Sequence, residues 1–146
     1  MDLLYRGLLY IHVVSVIVSV GPFFILFPII KKLRTARGTE LDAHVSTFRF
    51  IVWLAKHAGH VLVGSGALLL ILGPWSWRTP WVLLTLLLLF CSLFFLARAF
   101  SPTLRRFTED GSDQNELADK LKKAVWIYLI LLMIMLWFMV VKPYLW

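Results

Sequence analysis

An all-α, four-helix transmembrane bundle running up-down-up-down is the fold class this sequence predicts, on three observations. The chain of 146 residues is 60% hydrophobic and only 16% charged, against roughly 45–50% and about 25% in ordinary soluble domains. Its apolar residues collect into four runs, 7–30, 50–72, 81–97 and 124–141, each near the length of about 20 residues that crosses about 30 Å of hydrocarbon. Its basic residues collect in the connections between runs one and two and between runs three and four. Four spans leave room only for short connections, so 1–146 reads as a single integral membrane domain.

Run one is too long for the apolar core of a signal peptide and lacks a small-residue cleavage site, so it reads as a retained helix. Within it His12, Ser15 and Ser19 recur at spacings of three and four, which places them on one face. Pro22 and Pro28 cannot donate to the carbonyls of Val18 and Phe24, so a bend or a locally opened backbone is expected, with the Ser19 hydroxyl nearby.

Run two is the most polar. Arg49, Trp53, Lys56, His57, His60, Gly64 and Ala67 follow helical spacing along one seam, and Gly59, Ser65 and Gly66 thin the strips beside it. Small residues allow close helix approach in lipid, so the seam reads as the face that joins helix one or meets a partner. The run is centred near Val61, which puts His60 close to mid-bilayer and His57 about 5 Å nearer the basic side by helix rise. Lys56 can snorkel to the headgroups.

The stretch Gly73-Pro74-Trp75-Ser76-Trp77-Arg78-Thr79-Pro80 predicts a tight turn that makes helices two and three antiparallel neighbours. Thr85 and Ser92 mark the buried stripe of the third span, and Tyr128 and Met135 that of the fourth. Met133, Met135, Met139 and Cys91 read as packing. Thr39-Glu40-Leu41-Asp42 fits a capping box, and Asp113-Gln114-Asn115-Glu116 a looser one with Asp as cap. Helices two and four are therefore expected to start before the bilayer, with Glu116 and Lys120 paired four apart. His44 reads as an exposed residue of the second extension, and Glu109, Asp110, Asp113, Glu116 and Asp119 as a solvated loop and helix start.

The net charge of +7 is unevenly placed. Lys31, Lys32, Arg34, Arg37, Arg49, Arg98, Arg105, Arg106, Lys120, Lys122 and Lys123 flank the two long connections, whereas the other side carries only Arg6, Arg78 and Lys142. The positive-inside rule then puts both connections in the cytoplasm and both termini outside, in a multi-pass protein of the cell membrane. Tyr5, Tyr10, Trp75, Trp77, Trp81, Trp137, Tyr144 and Trp146 gather toward the outer interface. The basic residues are expected to meet anionic headgroups of the lipid bilayer and not a nucleic acid.

A lone cysteine excludes a disulfide scaffold, an iron–sulfur centre and a CxxC motif within one chain. Nucleophile–base pairs, paired carboxylates and a glycine-rich phosphate loop are missing from the sequence, which argues against hydrolysis and phosphoryl transfer. The spans carry no acidic residue, which disfavours a proton-coupled transporter or cation channel.

The stretch Tyr10-Ile11-His12-Val13-Val14-Ser15-Val16-Ile17-Val18-Ser19-Val20-Gly21-Pro22-Phe23-Phe24 resembles the opening helix of a bacterial membrane superfamily. That superfamily contains CopD-type copper-resistance proteins, HemJ-type protoporphyrinogen oxidases and an uncharacterised group. Met139-Val140-Val141-Lys142-Pro143-Tyr144 is similar to its terminal Val-Lys-Pro signature. The resemblance is nearest the uncharacterised group. It implies a protein of the bacterial inner membrane, with His12 at the position of the haem-linked first-helix histidine of the HemJ type.

Two readings of function stand side by side. In one, the bundle binds haem b, or else copper, through His12, His60 and His57 for redox or porphyrin-related chemistry, because facing helices build cofactor sites and imidazole suits both metals. The i,i+3 pair His57 and His60 is the easier metal site, since His12 and His60 differ in depth by roughly 10 Å. In the other, the chain is a non-catalytic membrane subunit or small-molecule-binding bundle whose polar seam serves packing, a membrane protein partner or a second copy of itself.

Overall fold

The computed structural model describes residues 2–107, 109 and 113–142. It comprises α1 (Asp2–Leu33), α2 (Thr39–Leu72), α3 (Pro80–Ala99), α4 (Ser101–Arg106) and α5 (Gln114–Val141), with no strand among the described residues. Four stretches are long and apolar enough to cross a membrane: α1, α2, α5, and α3 continued through α4. Large apolar side chains lie exposed along all of them, among them Ile17, Ile25, Val61, Ile71, Leu87, Phe90, Ile130 and Val140. A surface of that kind is suited to acyl chains, and the protein is a multi-pass membrane bundle. Asp110, Pro143, Tyr144 and Trp146 lie outside the described residues.

The helix ends follow local chemistry. The Asp113 side chain accepts from the backbone N–H groups of Asn115 (3.1 Å) and Glu116 (3.4 Å) and caps α5. Glu116 turns instead to Lys120, 3.4 Å away. The box expected at Thr39 does not form. Gly38, at φ 63°, is the cap residue of α2 and no side chain caps the helix. Thr39 is already helical, so its hydroxyl is one residue too late to reach the free N–H groups. Between α3 and α4 the chain breaks at Phe100. Pro102 lacks the N–H that would reach the Arg98 carbonyl, which is reason enough for the interruption. α1, by contrast, is helical straight through Pro22 and Pro28.

The order of packing differs from the simplest reading of the turn at 73–80. α2 lies mainly along α1, α3 along α5, and α1 also meets α5, whereas α2 and α3 approach only briefly. One such place is Gly59, where a Cβ would stand 3.1 Å from Leu93.

At the basic end the interior is apolar and dense. Phe23, Leu26, Ile30, Leu33, Phe48, Leu96, Phe100, Leu104, Leu117, Leu121 and Val125 are fully enclosed there, around the ring pairs Phe23–Tyr128 (4.5 Å) and Phe48–Phe100 (5.8 Å). That end extends beyond the hydrocarbon, where water drives apolar burial. It is closed by Arg34, just past the end of α1, paired with Asp119 and by Gln114 Nε2 donating to the Ala36 carbonyl (2.8 Å). Toward the other end His12, Ser15, Ser19, Ser65, Thr85 and Ser92 join apolar residues such as Leu62, Val82, Leu132 and Met135 at the buried positions. Inside a bilayer apolar burial gains little, so short polar residues that let helices approach take over.

Candidate functional site on helices one and two

His12, Ser15 and Ser19 share the inward face of α1, as their spacing predicts, at 7%, 6% and 2% exposure. Opposite them α2 presents the strip Ala55, Ala58, Gly59, Leu62 and Ser65. His12 Nδ1 stands 3.0 Å from Ser65 Oγ. The Ser65 hydroxyl gives its one proton to the Leu62 carbonyl at 3.1 Å, so Ser65 Oγ accepts from the His12 Nδ1–H and Nε2 keeps the lone pair. Room for the ring comes from Gly66, where a Cβ would lie 3.2 Å from His12 Cε1. The bond ties α1 to α2. Because the serine proton is committed to its own helix, Ser65 is not presented as a nucleophile.

Other buried hydroxyls are satisfied locally. Ser15 donates to the Ile11 carbonyl (2.8 Å), Thr85 to Trp81 (2.6 Å) and Ser92 to Leu89 (2.8 Å). Ser19 Oγ and Trp81 Nε1 are buried without a partner among the described residues. Ser19 therefore does not take up the carbonyl released by Pro22.

The seam on α2 has the opposite orientation to a bundle interior. Arg49, Trp53, Lys56, His57, His60 and Gly64 are all exposed, and the next strip around the helix is the one that packs on α1. His60 and Ser65 are five residues apart, about 140° around the helix axis. His60 consequently faces away from His12, and α1 and α2 do not bring these two histidines together. Of the two roles the sequence left open for the seam, joining helix one or meeting a partner, the first falls to the neighbouring strip, whose small side chains permit close contact with α1.

His57 Nδ1–H donates to the Trp53 carbonyl at 2.9 Å, and the imidazole lies 4.1 Å from the Trp53 ring. This leaves the His57 Nε2 lone pair directed away from its own backbone bond. The His57 and His60 rings are 6.3 Å apart, edge to face. Those two residues form a pair of outward imidazoles one turn apart. Among the described residues no group of three His, Cys, Asp or Glu gathers as a metal site. Met133 is exposed and Met135 buried, so they face different ways. His44 is half-buried with Nε2 3.7 Å from Glu40.

One arrangement has no forewarning in the sequence apart from the tryptophans. Lys142, in the left-handed conformation at the end of α5, holds its ammonium 4.5 Å from the Trp75 ring and 5.6 Å from that of Trp81. The lysine of the terminal Val-Lys sequence thus pins α5 to the start of α3. No protein-family model, curated protein or solved structure matches the chain.

Proposed function

We propose that the chain is a membrane-embedded subunit that binds a second copy of itself through the outward polar face of α2, with His57, His60 and Gly64 at the contact. One observation carries this reading. His60 lies about 18 Å along the helix from Leu72, near the middle of the hydrocarbon, yet its imidazole is exposed and has no hydrogen-bond partner among the described residues. A polar group left so in lipid costs several kcal/mol. Neutral imidazole has one donor and one acceptor, so two copies of His60 across a two-fold axis complement each other. At Gly64, one turn on, a Cβ would meet nothing within 4 Å, which leaves the backbone open to a close neighbour. The eleven basic residues at one end orient both termini outside the cell. The test is fluorescence energy transfer between labelled copies in vesicles. Parent protein gives transfer that Gly64→Leu abolishes, and monomers in both would refute the proposal.

A second reading rests on the same two imidazoles. His57 and His60, with a free Nε2 on His57, are suited to ligate haem b or copper on the α2 face. His12 would then act only as the α1–α2 tie. A Soret band in protein expressed with haem, lost in His60→Ala and retained in Met133→Leu, is the result this reading expects. A band unchanged in both His57→Ala and His60→Ala removes this reading.

A further inference from the structure

An open groove of about 450 Å³ runs along the lipid side of the contact between α1 and α5, walled by Phe24, Trp126, Ile130, Met133 and Trp137 with buried Leu129 as its floor. All five wall side chains are more than half exposed, and no residue of the lining is charged. From Trp126 to Trp137 the groove extends about 16 Å by helix rise, so it is only about 5–6 Å wide. A helix with its side chains is about 10–12 Å across and does not fit. A single hydrocarbon chain does.

The basic end of this groove carries the charge that its walls lack. The ring contact of Phe27 with Trp126 (5.1 Å) and the pairing of Arg34 with Asp119 show α1 and α5 running in opposite directions and set their relative height. Lys31 comes one turn after Phe27 on α1, and Lys122 comes one turn before Trp126 on α5, with Lys123 beside it. These lysines therefore stand at about one height, on the groove side of both helices. All three are exposed, and none has an ion-pair or hydrogen-bond partner among the described residues. Asp119, one turn further along α5, is held by Arg34.

Depth sets the length of chain that fits. Lys123 borders the apolar run of α5, and Met133 lies about 15 Å further on, at the middle of a hydrocarbon layer of about 30 Å. The acyl chains of a phospholipid held by its phosphate at the lysines end there. The groove continues to Trp137, about 21 Å from Lys123. A phospholipid also carries two chains, and the groove takes one.

From this juxtaposition we infer that the α1–α5 groove binds an isoprenoid phosphate, its phosphate held by Lys31, Lys122 and Lys123 and its single long chain lying past Ile130 and Met133 to Trp137. Ammonium groups meet the phosphate as point charges on flexible stems, and a wall of rings and one adaptable thioether accommodates methyl branches. The site uses no residue of the outward α2 face and stands apart from the dimer proposal.

The test adds undecaprenyl phosphate, undecaprenol, farnesyl phosphate and dioleoyl phosphatidic acid separately to the purified full chain in neutral detergent, and follows binding by native mass spectrometry and melting. Undecaprenyl phosphate should be retained and raise the melting temperature most. The others lack the charge, the reach or the single chain and should each bind about tenfold more weakly or worse. Lys31→Gln/Lys122→Gln should weaken undecaprenyl phosphate binding about 30-fold, whereas Arg37→Gln/Arg106→Gln, which removes the same charge from the same end, stays close to the parent. Met133→Trp fills the groove at mid-bilayer and should bring undecaprenyl phosphate down to the level of farnesyl phosphate, whose own binding is unchanged. All five positions are exposed, so melting without added lipid serves as the folding control. Phosphatidic acid bound as tightly as undecaprenyl phosphate would make the groove an ordinary phospholipid contact. Equal losses in the two double variants would reduce the lysines to diffuse surface charge, and disulfide-linked dimers of Met133→Cys in a Cys91→Ser background would assign the groove to a second copy. Any of these results overturns the inference.

Discussion

Replacing Ser65 by alanine isolates the hydrogen bond that joins α1 to α2. The change removes the acceptor of His12 Nδ1–H, 3.0 Å away, and a donor to the Leu62 carbonyl. The second loss is small, because that carbonyl also serves the α2 helix ladder. The first leaves the imidazole N–H, at a position with 7% exposure, only the Leu62 carbonyl to turn to. An unpaired buried donor costs about 1–3 kcal/mol, whereas interhelical bonds in membrane double-mutant cycles average about 0.6 kcal/mol and reach about 1.7. The Leu62 carbonyl beside the ring offsets part of the loss, so a value inside the membrane range applies, about 1 kcal/mol. Reversible unfolding of parent, His12→Ala, Ser65→Ala and the double variant in mixed micelles gives the coupling directly. A coupling energy of about 1 kcal/mol is expected. Additive single effects, with coupling near zero, would show that the two side chains do not meet and would refute the α1–α2 register described above.

The same contact predicts that Gly66→Ala destabilises the parent, through a Cβ 3.2 Å from His12 Cε1, and is harmless in a His12→Ala background; equal cost in both would contradict the close approach. Asp113→Ala should lower stability by about 1 kcal/mol through the lost cap on α5, while Thr39→Ala, which caps nothing, should leave the melting temperature unchanged. Lys142→Met should cost about 1 kcal/mol by removing the cation from the Trp75 and Trp81 rings and should shift tryptophan emission; unaltered emission and melting would show that the lysine is held elsewhere.

What the sequence could reveal and what it could not divide along physical lines. The four spans follow from run length and composition alone, because hydrocarbon demands continuous apolar helices whatever their neighbours. The inward stripes of α3 and α5, marked by Thr85, Ser92, Tyr128 and Met135, were legible for a related reason: on helices otherwise made of Leu, Ile and Phe, any smaller or polar residue stands out. The cap at Asp113 is a local interaction and was read correctly. At Thr39 the competing cap, Gly38, needed its backbone conformation to be known.

On α2 the sequence left the polar seam to join helix one or to meet a partner, and the reason is general to membrane helices. A polar strip faces the interior, a partner or the headgroups with equal chemical justification, and α2 carries two strips. The one with Ala55, Ala58, Gly59 and Ser65 packs on α1, because helix approach in lipid rewards small volume more than polarity. That left His57 and His60 outside. The partner of His12 was similarly hidden, since Ser65 is adjacent in space only after the α1–α2 register is set.

A cysteine scan along α2 in a Cys91→Ser background, oxidised in native membranes, tests most directly whether the outward face meets a second copy. Cysteines at His57, His60, Gly64 and Leu68, all but the last on the polar seam and all exposed, should give disulfide-linked dimers. Cysteines at Ala58, Leu62 and Ser65, which are buried against the bundle, should give none. A periodic pattern of this phase is what the account predicts; cross-linking that peaks at the buried positions, or that is missing at every position while labelling shows each cysteine is reactive, would contradict it.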